Sequence, residues 1–239
     1  MLYLVATPIG NLEDISLRAI RVLGEVGVIA AEDTRTTRKL LSRHGIKARL
    51  MSYHQFSGEG RTRNLLNLLE IQDVALVSEA GMPAISDPGY ELVRVAVEHG
   101  VGVSALPGPS AVVTGLAVSG LPTHQFVYLG FLPRKTGERR RLFQSLEDEK
   151  RTVVAFESPH RIRKTLEEMK LVLAERPLAL CRELTKMHEE VFRGDAAMAL
   201  DHFVQPRGEF TVVVGGAGLR AAEYWKGAAA NRPGGRSDE

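Results

Sequence analysis

Short runs of apolar and β-branched residues recur along the first half of the chain, at Leu2–Ala6, Val28–Ala31, Ala48–Tyr53, Val74–Ser78 and Val101–Leu106. Each is too short for a stable helix and has the residue types that suit a buried strand. Between them lie segments of helical period, Asp14–Leu23, Thr34–His44, Arg61–Ile71 and Tyr90–His99. In Arg61–Ile71, Leu65, Leu66, Leu68 and Leu69 gather on one broad apolar face, and Gly45 and Gly100 stand where helices stop. Strands alternating with helices in this way predict βα units and an open, mostly parallel sheet.

After Gly120-Leu121-Pro122 the texture changes. Strands are expected at Phe126–Gly130, Thr152–Phe156, Ala179–Arg182, Glu190–Arg193 and Glu209–Val214, with helices at Glu138–Leu146, Arg161–Ala174 and Asp195–Phe203. Several connections are too short for a helical crossover, so the second sheet should be mixed. The expected fold class is α/β in two domains, 1–117 around a mostly parallel sheet and 118–218 around a mixed one. Residues 219–239 are small and polar, hold too little apolar area to order themselves, and are expected to form a disordered tail.

Composition adds constraints. A chain of 239 residues with one cysteine, Cys181, forms no internal disulfide, and Met1–Ala6 is too short for a secretory or membrane segment, so a cytoplasmic protein without a membrane span is expected. The net charge of +2 is small but unevenly spread: residues 1–110 hold 11 Lys/Arg against 12 Asp/Glu, whereas Arg134 to Lys164 holds ten basic and five acidic residues. Such a run is most simply a solvated helix face; it is also the kind of patch that nucleic acid requires.

Three Gly/Pro-rich loops follow three first-domain strands, where ligands bind in open parallel sheets. They are Thr7-Pro8-Ile9-Gly10-Asn11, Ser78 to Gly89, and Leu106-Pro107-Gly108-Pro109-Ser110-Ala111. Proline stiffens such loops and glycine admits close approach of another backbone or a ligand. Any one of them could be a plain connector; three together suggest a site read by main-chain groups. Neither G-x-x-x-x-G-K-[ST] nor a strand-linked G-x-G-x-x-G is present, and His188-Glu189-Glu190 lacks the second histidine of a zinc motif, so no metal is expected.

Seven ordered motifs then carry a specific resemblance: Leu2 to Leu12, Ala31-Glu32-Asp33-Thr34-Arg35, Ser78 to Gly89, Pro107 to Ala111, Gly130-Phe131-Leu132-Pro133-Arg134, Glu157-Ser158-Pro159-His160-Arg161 and Arg182-Glu183-Leu184-Thr185-Lys186. Over residues 2 to about 214 the chain resembles the ribosomal RNA small subunit methyltransferase I family of the tetrapyrrole methylase superfamily. The resemblance implies S-adenosylmethionine-dependent 2′-O-methylation of a cytidine in the decoding region of small-subunit ribosomal RNA, by a homodimer whose cofactor lies in a cleft between the two domains. It implies cofactor contacts from Pro8, Gly10, Gly81, Met82, Ile85, Ser110, Ala111, Phe156, Glu209 and Thr211. Glu79 and Met82 stand where the family usually has Asp and Thr, which affects side-chain contacts and not backbone ones, and the family's further C-terminal helical extension is expected to be lacking or reduced.

Methyl transfer from a sulfonium is an in-line displacement governed by positioning, with a base assisting. Candidates for the catalytic role are Lys186, Asp87 and Glu32, with Asp33 and His160 beside them. The acidic pair Glu32-Asp33 could as readily cap the following helix, Asp87 could shape a turn, and Lys186 could be a surface ion-pair lysine. Arg35, Arg134, Lys135, Arg139, Arg140, Arg141 and Arg161 are expected to meet RNA. The alternative is methylation of a small tetrapyrrole such as a precorrin.

Overall fold

The computed structural model of the protein describes residues 1–226, in two units divided between Ala111 and Val112. The first unit is a five-stranded sheet of β1 (Leu2–Val5), β2 (Val28–Ala31), β3 (Arg49–Ser52), β4 (Val74–Val77) and β5 (Val103–Leu106), in the order β3-β2-β4-β1-β5. Every pairing is parallel. β2 and β4 are buried at every residue, as expected of strands covered on both faces.

The cover comes from α1 (Leu17–Glu25), α2 (Thr34–Arg43), α3 (Glu59–Leu69) and α4 (Tyr90–Glu98). Ala19, Val22 and Leu23 of α1 join Leu40 and Leu41 of α2 in one core, while Leu65 and Leu69 of α3 join Leu92 and Ala96 of α4 in another. Each helix pair therefore covers its own face. α1 begins later than its apolar pattern suggests because Asn11 caps a short 3₁₀ turn at Leu12–Asp14, and the Ser16 hydroxyl then accepts from the Ala19 amide to start the helix.

The second unit opens with α5 (Ala111–Ser119), which the periodicity does not predict. Its sequence, AVVTGLAVS, is apolar all round, so no stripe marks it as a helix, and the division between the two units falls after its first residue. The sheet consists of β6 (Phe126–Phe131), β7 (Thr152–Glu157), β8 (Leu178–Arg182), β9 (Glu190–Gly194) and β10 (Phe210–Val214), ordered β6-β7-β10-β8-β9. Only β6 and β7 run parallel; the other pairings are antiparallel, making the sheet mixed.

One face of this sheet is covered by α6 (Thr136–Ser145), α7 (Ile162–Val172) and α8 (Ala196–His202), through Phe143, Ile162, Leu166, Met169 and Ala199. The other receives α5 at close range: a Cβ at Gly115 would stand 2.7 Å from Thr211 Cγ2, and Cys181 Sγ lies 3.6 Å from the Gly115 carbonyl. Part of the expected disordered tail is ordered. In α9 (Ala221–Tyr224) and just beyond, Ala221 is buried, Tyr224 Oη donates to Gly120 O at 2.9 Å, and Trp225 Nε1 donates to Gly194 O at 3.1 Å. The rest of that expectation, 227–239, lies outside the described residues. Among the described residues no helix is long and apolar enough to cross a membrane.

Candidate active site

In the first unit β1 and β4 are neighbours whose chains leave in opposite directions, β1 through α1 to β2 and β4 through α4 to β5. Because α1 and α4 lie on opposite faces, a crevice opens beyond the carboxyl ends of these two strands. Two of the Gly/Pro loops meet there. The Thr7 amide donates to Gly81 O at 2.9 Å and the Gly81 amide returns to Thr7 O at 3.0 Å, an antiparallel bridge between loops that follow parallel strands. The Thr7 hydroxyl donates to Ser78 O, and the Ser78 hydroxyl to the carbonyls of Ala80 and Gly81. The third loop joins at Gly108, where a Cβ would be 2.9 Å from Ala6 Cβ.

The structure thus gathers Pro8, Gly10, Gly81, Met82, Ile85 and Ser110, with Ala111 directly after, along one edge of one sheet. Pro8 and Gly81 are buried, Met82, Ser110 and Ala111 half-buried, and Gly10 and Ile85 exposed. Between Gly81 and Gly89 four residues take left-handed backbone, two of them not glycine: Ala84 at φ 69° and Ser86 at φ 61°. Such conformations cost about 1–3 kcal/mol each and persist where the surroundings impose them, often at ligand sites. Here the Ala84 amide donates to Pro88 O at 3.3 Å and closes the turn on itself.

The acidic candidates separate by environment. Asp33 is the N-cap of α2, accepting from the Arg35 amide at 2.7 Å and pairing with the Arg35 guanidinium, whose hydrogen bond holds Asp33 down at about 2. It is a helix cap and a poor proton acceptor. Arg35, 84% exposed, shares that pair. Glu32 is half-buried at the end of β2, and its Oε2 accepts from the Glu79 amide at 3.3 Å. Asp87 differs from both. Burial pushes its carboxyl up to about 6, a hydrogen bond from Ser78 pulls the other way, and the charges of Glu32 and Glu79 add to the rise.

In the second unit Phe156 and Thr211 are cross-strand partners on β7 and β10. Glu209, just before β10, meets Lys186, whose Nζ lies 3.0 Å from both Glu209 Oε2 and Glu183 Oε1. Burial alone would lower the Lys186 ammonium, but hydrogen bonds to Glu209 and Glu183 more than offset it and raise its pKa above the usual value. Lys186 is therefore an ammonium at neutral pH, able to donate to an oxygen and unsuited to the role of base. His160 is exposed in the turn before α7.

The basic residues also divide. Arg134, Lys135, Arg140 and Arg141 are exposed, with the Lys135 side chain 81% open. Arg139 is not available to RNA: it is 2% exposed and forms a two-pronged pair with Glu168, Nε and Nη2 each 2.8 Å from a carboxylate oxygen. Its Nη1 donates to the carbonyls of Pro133 and Arg134. Burial of a charged fork is tolerable only with this full set of partners. Arg161 is largely turned inward too, pairing with Glu157 at 2.6 Å and donating to Leu132 O at 3.1 Å.

Glu168 lies outside every motif, and Glu157, though it opens one of the seven, has no role assigned by motif reading. Glu168 sits 29 positions from its partner, but Arg139 shares the apolar face of α6 with Leu142, Phe143 and Leu146 at helical spacing, a signal that it points inward. Among the described residues no group of three His, Cys, Asp or Glu side chains could hold a metal ion.

Residues 1–199 match the family model for Tetrapyrrole (Corrin/Porphyrin) Methylases. The chain is 49% identical over 230 residues to the Ribosomal RNA small subunit methyltransferase I of Halalkalibacterium halodurans, covering 94% of this chain and 79% of that protein. It is 48% identical over 218 residues to the protein of the same name from Thermotoga maritima, covering 90% and 98%. Among solved structures it is similar to a cobalt precorrin-4 methyltransferase, with a TM-score of 0.64, 18% identity and coverage of 90% and 94%. It is also similar to uroporphyrin III C-methyl transferase from Thermus thermophilus, at TM-score 0.61, 20% identity and coverage of 90% and 96%. At such identities the structures share a fold, and substrate does not follow from fold.

Proposed function

Because the chain belongs to the ribosomal RNA small subunit methyltransferase I family of tetrapyrrole methylases, we propose that this methyltransferase uses S-adenosylmethionine to methylate a cytidine 2′-hydroxyl in the decoding region of small-subunit ribosomal RNA. The observation that carries the reading is the loop assembly beyond β1, β4 and β5, together with relatives near half identity that bear one name. Its residues fit the cofactor. Met82 and Ile85 offer apolar surface, Gly108 lets the third loop pack against Ala6 beside them, and Glu32, Glu79 and Asp87 set a negative field suited to a sulfonium cation.

When bound, S-adenosylmethionine supplies the methyl group and leaves as a neutral thioether. The chain's task is then to hold the acceptor oxygen in line and take up its proton. Asp87 is the candidate acceptor of that proton, with Glu32 beside it. Lys186 is assigned to an RNA oxygen or phosphate as a charged donor. Phe156, Glu209 and Thr211 are proposed as further cofactor contacts, and Arg35, Arg134, Lys135, Arg140 and Arg141 as RNA contacts. A homodimer in the cytoplasm completes the reading, supported by the family resemblance and, for the compartment, by a lone buried thiol, Cys181.

The test is methyl transfer from labelled cofactor into small ribosomal subunits lacking the modification, with the site mapped on the RNA. Multiple turnovers at a 2′-hydroxyl are expected; label entering a precorrin and not RNA would reverse the substrate assignment. Gly108→Val probes the site itself. Its Cβ would press on Ala6, and Gly108 is not among the left-handed glycines, so the substitution acts by crowding alone. Calorimetry should show affinity for the cofactor reduced at least about tenfold, a loss of about 1.4 kcal/mol. Unchanged affinity would place the cofactor elsewhere.

A further inference from the structure

β6 ends on a bulge: its register with β7 shifts between Tyr128 and Phe131, and Gly130 within the shift has φ 68°. Bulges of this kind re-aim the next side chain. Here that is Phe131, which lies edge-on to Phe156 at 5.4 Å and remains 59% exposed. Phe156 also carries Tyr128 at 5.4 Å, so an exposed ring stands on a small aromatic stack. Directly after it come Leu132, buried, and the exposed Arg134 and Lys135.

This turn is held from within. The Leu132 amide donates to Phe156 O at 3.1 Å, and the next three carbonyls are taken by buried or half-buried guanidinium groups: Leu132 O by Arg161, Pro133 O and Arg134 O by Arg139. Each arginine is anchored in turn by a buried carboxylate, Glu157 or Glu168. Two ion pairs fixing three successive carbonyls of an exposed loop exceed what a surface connector requires. They suit a loop whose side chains must be presented in one geometry.

Building on the RNA reading above, we propose that Phe131 to Lys135 is a preformed clamp for unpaired RNA. Phe131 offers a stacking face to one base, Arg134 and Lys135 meet the adjoining phosphates, and Arg139 and Arg161 are positioning residues that act through the loop. Specific recognition of one nucleotide in RNA favours unpaired segments whose bases can be splayed onto aromatic side chains, and an exposed ring flanked by cations is the surface that holds such a nucleotide. The neighbouring Arg140 and Arg141 extend the positive field. The Lys135 pair with Glu138, at 3.2 Å and well exposed, is weak enough to yield to a phosphate.

Steady-state methylation of unmodified small subunits at several salt concentrations tests this, with cofactor affinity measured in parallel. Phe131→Ala should raise KM for the subunit about tenfold or more and leave cofactor affinity unchanged, while Phe131→Trp should stay within about threefold of the parent. Arg134→Ala should lower the dependence of log KM on log salt by about one phosphate contact. The double variant Arg139→Met with Glu168→Met removes the buried pair without stranding a charge, and should raise KM about fivefold or more while leaving the salt dependence at the parent value. An unaltered KM for Phe131→Ala would overturn the stacking role. A lowered salt slope or an unaltered KM for the double variant would overturn the positioning role. Should the parent chain itself transfer no methyl group to RNA, the functional reading fails first, and the two failures are thereby told apart.

Discussion

Asp87→Asn should cost about a hundredfold or more in kcat and yet make the protein more stable above neutral pH. The loss follows from removing a proton acceptor in a reaction where acid–base assistance contributes roughly 10²–10⁴-fold. The gain follows from the carboxyl's surroundings: burial, with the charges of Glu32 and Glu79, pushes Asp87 from an ordinary value near 3.8 up to about 6. Its folded-state pKa thus lies above the unfolded one, so stability tied to this group is fully present below about pH 4 and is lost as pH rises through about 6. A displacement of that size corresponds to about 3 kcal/mol at full strength. Asp87 retains some contact with solvent, and screening reduces the expected gain to about 1 kcal/mol.

The same residue sets the pH profile. Activity of the parent should fall on the acid side with a midpoint near 6, and the asparagine variant should lose that limb while keeping its residual rate. Urea unfolding at pH 4 and pH 8 supplies the other half: the stabilisation should be present at pH 8 and small at pH 4. If the variant retained parental kcat, or showed the same stability at both pH values, Asp87 would be a turn residue and the proton would go to another group, Glu32 first.

How much of this the sequence discloses depends on the range of the interactions involved. β2 and β4, VIAA and VALV, read directly as strands covered on both faces, and the three Gly/Pro loops at strand ends read directly as an edge where a ligand could sit. The capping role of Asp33 rests on contacts two to four residues away and was legible as one of two readings. α5 was not, because a helix buried all round shows no periodic stripe. Basic density alone points Arg139 at RNA because it counts charges and ignores the side of the helix they occupy; its spacing with Phe143 and Leu146 places it inside. The environment of Asp87 comes first from burial and then from the charges of Glu32, which is remote in sequence, and Glu79, and no local pattern could supply that burial. The order at α9 rests on Tyr224 and Trp225 reaching back to Gly120 and Gly194 across a stretch whose composition is that of a tail.

Glu157→Ala is expected to be the most destabilising substitution among these residues, by about 3–5 kcal/mol. The Glu157 carboxylate ends β7 wholly out of solvent and is satisfied on both oxygens. Oε1 accepts from the Ser158 amide at 2.7 Å and pairs with Arg161 at 2.6 Å, and Oε2 accepts from the Thr165 hydroxyl at 2.7 Å. One side chain thereby joins the strand, the turn after it and the first turns of α7. Truncation leaves a cavity, a buried hydroxyl and amide without their acceptor, and an arginine that must turn outward for water, releasing Leu132 O as it goes. Against a total stability of about 5–15 kcal/mol this is a large fraction, and the urea midpoint should fall sharply. Glu157→Gln keeps the shape and much of the hydrogen bonding and should lose less than half as much, with Arg161 the partner most affected. Thr165→Val, which removes a single hydroxyl donor, should cost about 1 kcal/mol. A loss below about 1 kcal/mol for the alanine variant would mean that the helices on this face hold the strand without Glu157, and that the loop from Phe131 to Lys135 is fixed by Arg139 alone.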